Sequence, residues 1–368
     1  MHIPFCKQAC TYCNFHFSTS LMYKNDVVKA LIREIEMQKN FLGGDAIETI
    51  YFGGGTPSLL QIDDCTLILD KIRSTFRVLE NAEITLEANP DDISQNKLIE
   101  WKNAGINRLS IGVQSFFEED LKWMNRAHNS QQAINSLQLA TSAFENISID
   151  LIYGTPLLTD EMWKQNIDTA LSFSIPHLSC YALTVEEKTP LHKQIFLNKM
   201  ENVDADKQAL HFLQLMSILK EKGYEHYEVS NFALPGFRSL HNSSYWRGEK
   251  YLGLGPSAHS YNGLARTWNI ANNNKYLSAI RNGKIDNETE TLNEVQKLNE
   301  YIMISLRTME GMDLELIKRK WGIEKVDNMV RKISFFETNH FLIQNNARVQ
   351  LTNEGMLMAD GIAADLFT

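Results

Sequence analysis

The sequence predicts an α/β fold, in which a partial (β/α) barrel of the TIM type is followed by a small helical, winged-helix-like domain. Two observations predict it. Short apolar, β-rich runs alternate with amphipathic helical patterns, which is typical of repeated βα units and a parallel sheet. The pattern then changes to helices with one short β pair. We therefore predict a barrel over residues 1–285 and a C-terminal domain over residues 286–368.

The barrel elements follow one another in the order that repeated βα units require. Together with a short strand at Ile3, they make about six or seven βα units, enough for an open barrel. The predicted strands are Thr49–Phe52, Ile84–Glu87, Leu109–Gly112, Ile147–Ile152, His177–Leu183 and Tyr227–Ser230. The predicted helices are Asp26–Lys39, Gln61–Phe76, Ser94–Ala104, Gln131–Ala143, Glu161–Phe173 and Asp204–Lys222.

The C-terminal domain is predicted to contain helices around one β pair, without strong catalytic candidates. The β pair comprises Leu342–Ile343 and Val349–Leu351. The predicted helices are Glu294–Leu306, Leu314–Trp321, Val326–Phe336 and a final helix from Asn353 to Phe367.

Composition excludes several classes of protein. The 368 residues are 43% hydrophobic and 22% charged, as in an ordinary globular protein. A net charge of −9 argues against a general nucleic-acid surface. No apolar run reaches the ~18 residues of a membrane span, and no secretory signal opens the chain. The five oddly spaced cysteines fit a reducing cytosol, so we expect a cytoplasmic location.

Three of the cysteines carry the strongest signal. Cys6, Cys10 and Cys13 have the spacing C-x3-C-x2-C, and three thiolates on one loop can hold three irons of a [4Fe-4S] cluster. The fourth iron would then remain open to a small chelating molecule. The alternative is a Cys3His zinc site completed by His16. The spacing favours the cluster. The other two cysteines lie in apolar stretches and are predicted to be core thiols.

A glycine-rich run follows the first long predicted strand. Within Gly53–Pro57, the glycines allow a close approach of backbone to a ligand and expose N–H groups. A glycine-rich turn without such a role is the alternative. Next to the cysteine loop, we expect Gly54, Gly55 and Thr56 to bind a ligand.

Polar residues lie at or just beyond the carboxyl ends of further predicted strands. Glu87, Gln114 and Asp150 would therefore face one mouth of the barrel, where active sites of this fold lie. Arg126 lies beyond a strand end, and its residue type alone favours a solvated surface position.

A second unusual run is His241–Trp246, in which His, Asn, Tyr and Trp occur within six residues. One interpretation is a loop packed on the barrel, with His241 as an ordinary hydrogen-bonding group. The other is a tetrapyrrole contact, because neutral histidine ligates heme iron and flat aromatic rings stack on a macrocycle. The residues alone do not choose between them.

Several motifs together resemble one family, the oxygen-independent coproporphyrinogen III oxidase-like branch of the radical S-adenosylmethionine (SAM) proteins. The resemblance covers nearly the whole chain. It is carried by the three cysteines and by the runs His2–Cys6, Gly53–Pro57, Leu109–Ser115, Asp150–Pro156, Tyr227–Phe232 and Leu252–Ser260.

The resemblance implies the cofactors and most of the site. It implies a [4Fe-4S] cluster on the three cysteines, with its open iron chelating SAM. One electron from such a cluster splits SAM to a 5′-deoxyadenosyl radical. The residues implied to contact SAM are Gly54, Gly55, Thr56, Glu87, Gln114, Arg126 and Asp150. No residue is assigned a catalytic role.

Within this branch, three features resemble the heme chaperone subfamily. Phe15 stands where true oxidases have a further cysteine, the chain has almost no N-terminal extension, and the His241–Trp246 run is present. The resemblance thus implies a protein that binds heme, with His241 as a candidate contact, and hands it to apo-hemoproteins. The alternative is the oxidase, which converts coproporphyrinogen III to protoporphyrinogen IX by oxidative decarboxylation.

Overall fold

The structure, a computed structural model, describes residues 1–368 and divides them into two compact units. The first unit comprises Met1–His211 and Lys250–Glu290, and the second comprises Phe212–Glu249 and Thr291–Thr368. The chain therefore leaves the first unit after His211, returns to it at Lys250 and leaves it again after Glu290. The predicted domain boundary after residue 285 stays a prediction.

The chain forms fourteen strands and fifteen α-helices. The strands are β1 (His2–Ile3), β2 (Ile47–Gly54), β3 (Val78–Ala88), β4 (Arg108–Gln114), β5 (Ile147–Tyr153), β6 (His177–Ala182), β7 (Glu225–Glu228), β8 (Asn231–Ala233), β9 (His259–Tyr261), β10 (Ala265–Asn269), β11 (Asn287–Thr291), β12 (Met312–Asp313), β13 (Leu342–Asn345) and β14 (Arg348–Leu351). The helices are α1 (Lys24–Met37), α2 (Ile62–Thr75), α3 (Gln95–Ala104), α4 (Glu118–Trp123), α5 (Ser130–Ala143), α6 (Asp160–Ser172), α7 (Pro190–Phe196), α8 (Ala205–Glu221), α9 (Leu240–Trp246), α10 (Asn273–Arg281), α11 (Glu294–Leu306), α12 (Leu314–Trp321), α13 (Ile323–Thr338), α14 (Asn353–Met356) and α15 (Ala359–Leu366).

The first unit is built on six parallel strands in the order β1-β2-β3-β4-β5-β6. Each strand from β2 to β5 is joined to the next by at least one helix, as βα units require. The predicted α/β class, with repeated βα units on a parallel sheet, is confirmed.

Helix α2 of the first unit buries one face. On α2 the buried residues are Cys65, Ile68, Leu69 and Ile72, spaced as one stripe of a helix. Cys65 and Cys180 are each 1% exposed, so both predicted core thiols are buried. The apolar stripe in the sequence of α2 therefore matches its buried face.

The second unit has its own core of helices and a three-stranded sheet in the order β12-β14-β13. Leu298 and Ile302 of α11 pack with Met329 and Ile333 of α13 in that core. The final helix predicted from Asn353 to Phe367 is wrong in one respect. The backbone leaves the helical conformation at Met358, with φ −121° and ψ 20°, so the segment forms two helices, α14 and α15.

The last predicted barrel strand, Tyr227–Ser230, is also wrong in its pairing. Its first two residues belong to β7, which ends at Glu228; Val229 and Ser230 form the turn to β8, with which β7 pairs antiparallel. A hairpin connects neighbouring antiparallel strands through a short turn, whereas a parallel pair needs a crossover. The short strands β9 to β11 were not predicted.

No helix of the chain combines the length and the apolar character that a membrane span requires.

Candidate functional site

The cysteine loop follows the first strand of the sheet. His2 and Ile3 of β1 pair with Gly53 and Gly54 of β2, which places the loop at the carboxyl end of the parallel strands. The three thiols are half-buried and none is in a disulfide. Burial raises the pKa of Cys6 to about 11 and also raises the pKa of Cys13. The thiols of Cys6 and Cys13 are therefore protonated at neutral pH unless a metal binds them.

One of the three sulfurs, that of Cys10, accepts a side-chain hydrogen bond, and hydrogen-bonding groups influence the pKa values of the other two. Hydrogen bonding with the Thr56 side chain opposes the rise in the pKa of Cys6. The guanidinium Nη1 of Arg126 donates to Cys10 Sγ over 3.2 Å, and hydrogen bonding with the backbone of Phe15 opposes the rise in the pKa of Cys13. Hydrogen bonds of this kind stabilise the thiolate that an iron–sulfur cluster needs.

Arg126 connects the cysteine loop to the sheet. Its Nη2 donates to Asn89 Oδ1 and to the carbonyl oxygen of Gly112, both over 2.8 Å. Its Nη1 also lies 3.4 Å from the Tyr12 hydroxyl. Its Nε is buried and has no hydrogen-bond partner. Arg126, whose residue type alone favoured a solvated surface, therefore lies in the site with one donor unused.

The glycine-rich run packs directly on the backbone that leads into the cysteine loop. Gly55 N–H donates to Ile3 O over 2.9 Å, and Thr56 N–H donates to Phe5 O over 2.7 Å. A Cβ atom on Gly55 would lie 2.6 Å from Phe5 O, and one on Gly54 would lie 2.4 Å from the His2 ring. Gly54 also has φ +107°, which disfavours a side chain. The absence of side chains at Gly54 and Gly55 thus lets the backbone that leads into the cysteine loop pack closely against this run.

Glu87 lies at the carboxyl end of β3 and accepts two hydrogen bonds. Tyr51 Oη donates to its Oε1 over 2.8 Å, and Gly54 N–H donates to its Oε2 over 3.2 Å. Burial, together with a smaller effect of the Asp150 charge, raises the pKa of Glu87 to about 7. A carboxyl of this kind can accept hydrogen bonds from a hydroxylated ligand.

Asp150 and Gln114 border the same edge of the sheet. Asp150 lies in the middle of β5, paired with Gly112, rather than at the strand end. Burial raises the pKa of Asp150 to about 6, although hydrogen bonds with Ser179 and Ser110 oppose this rise. Gln114 is the last residue of β4, where the β4–β5 register shifts, and it has φ +67°. Such backbone strain clusters at functional sites.

The zinc alternative needs His16 beside the thiols. His16 Nε2 instead shares a hydrogen bond of 2.8 Å with Asn273 Oδ1. No three His, Cys, Asp or Glu side chains converge as ligands of a single metal ion.

The His241–Trp246 run forms a helix, α9, in the second unit. Ser239 caps it by accepting a hydrogen bond from Asn242 N. His241 Nε2 and Tyr245 Oη lie 3.1 Å apart, one helical turn from each other. The Arg307 guanidinium lies 5.7 Å from the centroid of the Trp246 ring, whose buried Nε1 has no hydrogen-bond partner.

Sequence reasoning missed two groups at the cysteine loop. Lys7 binds the carboxylates of Asp91 and Asp92, and Gln8 binds Asn125. Asp91 and Asp92 carried only a helix-start signal, and Asn125 carried none, because these contacts join segments far apart in sequence.

Family models match both parts of the chain. The model of the radical SAM superfamily matches residues 1–170, and that of the HemN C-terminal domain matches residues 292–358. Among solved structures, coproporphyrinogen III oxidase (HemN) from Escherichia coli has a TM-score of 0.85 and 21% identity, covering 100% of this chain and 89% of that one. The fold and the cysteine loop define a radical SAM protein.

Curated relatives narrow the family. "Heme chaperone HemW" of Lactococcus lactis is 32% identical, covering 98% of this chain and 94% of the relative. HemW of Bacillus subtilis is 32% identical, covering 98% and 97%. That of Escherichia coli is 36% identical, covering 70% and 68%. The chain therefore belongs to the HemW family of radical SAM proteins, and this membership implies a [4Fe-4S] cluster and SAM.

Proposed function

We propose that this protein holds a [4Fe-4S] cluster on Cys6, Cys10 and Cys13, binds SAM beside it, and carries heme to apo-hemoproteins in the cytoplasm. The observation that carries the cluster site is the cysteine loop itself, in which three half-buried free thiols follow β1 at the carboxyl end of the parallel strands and Arg126 donates to Cys10. When bound, the cluster would supply an electron to SAM.

The SAM site is proposed on the residues around the thiols. The unused Nε–H of Arg126 and the carboxyl of Glu87 offer a donor and an acceptor to a polar ligand. Gly54, Gly55 and Thr56 would line this site, and Gln114 and Asp150 would border it. Because the glycines also hold the cysteine segment, replacing them would perturb the loop together with SAM. Glu87 and Arg126 are the better residues with which to test SAM binding.

The cluster proposal is tested by anaerobic reconstitution with iron and sulfide. We expect about four irons per chain and a broad charge-transfer absorption. Cys10→Ala should lose both, whereas Cys65→Ala should keep them, because Cys65 is a buried thiol on α2. Binding of one zinc per chain without iron uptake would contradict the proposal.

The SAM proposal is tested by measuring how many protons the protein releases when it binds SAM. Ribose hydroxyls that donate to Glu87 favour its ionised form, so SAM should bind more tightly as the pH rises from 6 to about 7. Calorimetry in buffers of different ionisation enthalpy measures the release. Glu87→Gln should bind SAM more weakly and release fewer protons. If cluster-loaded Glu87→Gln binds SAM with wild-type affinity, Glu87 does not contact SAM.

The heme proposal rests on the names of the relatives and on helix α9. An imidazole one turn from a tyrosine, on a helix that also carries a tryptophan, suits an iron macrocycle. Ligation by His241 would replace its hydrogen bond to Tyr245. Phe15, which is 67% exposed, occupies the position where oxidases of the branch have a further cysteine.

Heme titration tests this proposal, with the Soret band as the readout. His241→Ala should shift the band or weaken binding, whereas the exposed His192 of α7 serves as a matched control in His192→Ala. In a parallel assay with SAM, a reductant and coproporphyrinogen III, we expect no protoporphyrinogen IX. Multiple turnovers would favour the oxidase alternative, and absence of heme binding would contradict the chaperone.

A further inference from the structure

The residues between the first two cysteines make contacts that do not involve the thiols. Lys7 lies directly after Cys6, and its Nζ binds Asp91 Oδ2 at 2.7 Å and also contacts Asp92 Oδ1. Both carboxylates belong to the short 3-10 helix Pro90–Asp92, which follows β3. One lysine therefore fixes the first half of the Cys6–Cys10 segment to the 3-10 helix that follows β3.

The lysine contact has one buried partner. The Asp92 side chain is only 2% exposed and also accepts a hydrogen bond of 2.7 Å from Ser58 Oγ. The Lys7 side chain is 39% exposed. A buried carboxylate keeps its cation firmly, because leaving the carboxylate unpaired costs more than breaking an exposed ion pair. This pair is therefore a stronger constraint than a surface salt bridge.

The second half of the segment is fixed from another element. Gln8 Nε2 donates to Asn125 Oδ1 over 2.9 Å and to Asn125 O over 3.0 Å. Asn125 Nδ2 returns a hydrogen bond of 2.7 Å to Ala9 O. Asn125 has φ +56°, a conformation that asparagine tolerates better than most residues. It directly precedes Arg126, which donates to Cys10 Sγ.

We propose that Lys7 and Gln8 are positioning residues that hold the Cys6–Cys10 segment in its cluster-binding shape before iron arrives. The inference rests on the proposed cluster site. Neither side chain offers a thiolate or imidazole to iron, so each acts through the placement of the cysteines. A loop that is already ordered loses less conformational entropy when it binds the cluster.

The test compares variants that remove the anchors but keep the side-chain volume. Lys7→Met and Gln8→Leu, alone and together, are expected to slow cluster uptake during reconstitution and to speed iron loss to a chelator. The expected change is about three- to tenfold for each single variant, the range for one hydrogen-bonded contact that is partly exposed to solvent. Lys7→Arg keeps the charge and should restore the wild-type rates.

Lys39→Met is the matched control, because Lys39 forms an exposed ion pair with Glu36 at 3.2 Å, away from the loop. Its rates should equal those of the wild type. Hydrogen exchange of the metal-free protein provides a readout that needs no cluster. Amides of residues 6–13 should exchange faster in Lys7→Met and Gln8→Leu, with the sheet strands unchanged.

The outcomes distinguish failure of the positioning role of Lys7 and Gln8 from failure of the proposed cluster site. If the wild type loads about four irons but the variants load, retain and exchange as it does, Lys7 and Gln8 are not positioning residues and the cluster site stands. If the wild type takes up no iron, the cluster site fails and the inference fails with it. If exchange rises throughout the sheet of Lys7→Met, the residue is a general stabiliser, and this also overturns the inference.

Discussion

Replacing Glu87 by glutamine should make the metal-free protein more stable at alkaline pH and change its response to pH. Burial raises the pKa of Glu87 from 4.5 to about 7, so the folded chain binds this proton more tightly than the unfolded chain does. Its contribution to stability is fully present below pH 4.5 and is lost as the pH rises to about 7. The corresponding decrease in the free energy of unfolding is up to about 3 kcal/mol.

Glutamine can keep both contacts of this side chain. Its carbonyl oxygen can accept from Gly54 N–H, and its amide can donate to Tyr51 Oη, which both donates and accepts. Glu87→Gln should therefore match the wild type near pH 4.5 and exceed it at pH 8 by up to about 3 kcal/mol.

Urea unfolding of both proteins from pH 4.5 to 8 measures the difference. Cys6 does not titrate in this range, because its pKa is about 11. Asp150 titrates in both proteins and so contributes little to the difference between them. If the free energies of unfolding of the two proteins change in parallel from pH 4.5 to 8, Glu87 has an ordinary pKa and the argument is refuted.

Three further predictions follow from the contacts. Gly55→Ala places a Cβ atom 2.6 Å from Phe5 O, and urea unfolding should show a loss of about 1–3 kcal/mol; an unchanged midpoint would contradict the close approach. Arg126→Met should weaken SAM binding about ten- to a hundredfold in titrations, and wild-type affinity in a cluster-loaded variant would remove Arg126 from the site. Tyr276→Phe deletes the 2.7 Å hydrogen bond to the buried Glu34 and should cost about 1–3 kcal/mol in the same assay; a neutral effect would mean that Glu34 finds another donor.

The parallel strands and their helices could be predicted because their signal is local. Apolar runs of strand length and stripes of helical period are set by burial, and burial decides most of the fold here. The predicted strand Ile147–Ile152 corresponds to β5, which runs from Ile147 to Tyr153. The position of Glu87 at the end of β3 followed from the same pattern.

Other features depend on contacts between distant segments. The hairpin of β7 and β8 replaces a predicted parallel strand, and its short turn at Val229 contains no glycine or asparagine. The helix of the His241–Trp246 run is only seven residues long, so its pattern is too short for a helical period to show. The position of Arg126 at Cys10 joins residues 116 apart in sequence and has no local signature.

The segment Asn89–Asp92 explains why effects at this site should not be independent. Asn89 accepts a hydrogen bond from Arg126 and donates one to Thr56 Oγ1 over 3.2 Å. Two residues later, the carboxylates that bind Lys7 begin. A single short segment after β3 thus contacts the cysteine loop, the glycine-rich run and the arginine at Cys10. Residues that share partners in one network show coupled rather than additive effects. A change designed to weaken SAM binding through Thr56 or Arg126 therefore also reaches the loop that presents the thiols, so cluster content has to be measured before a loss of SAM affinity is assigned to a direct contact.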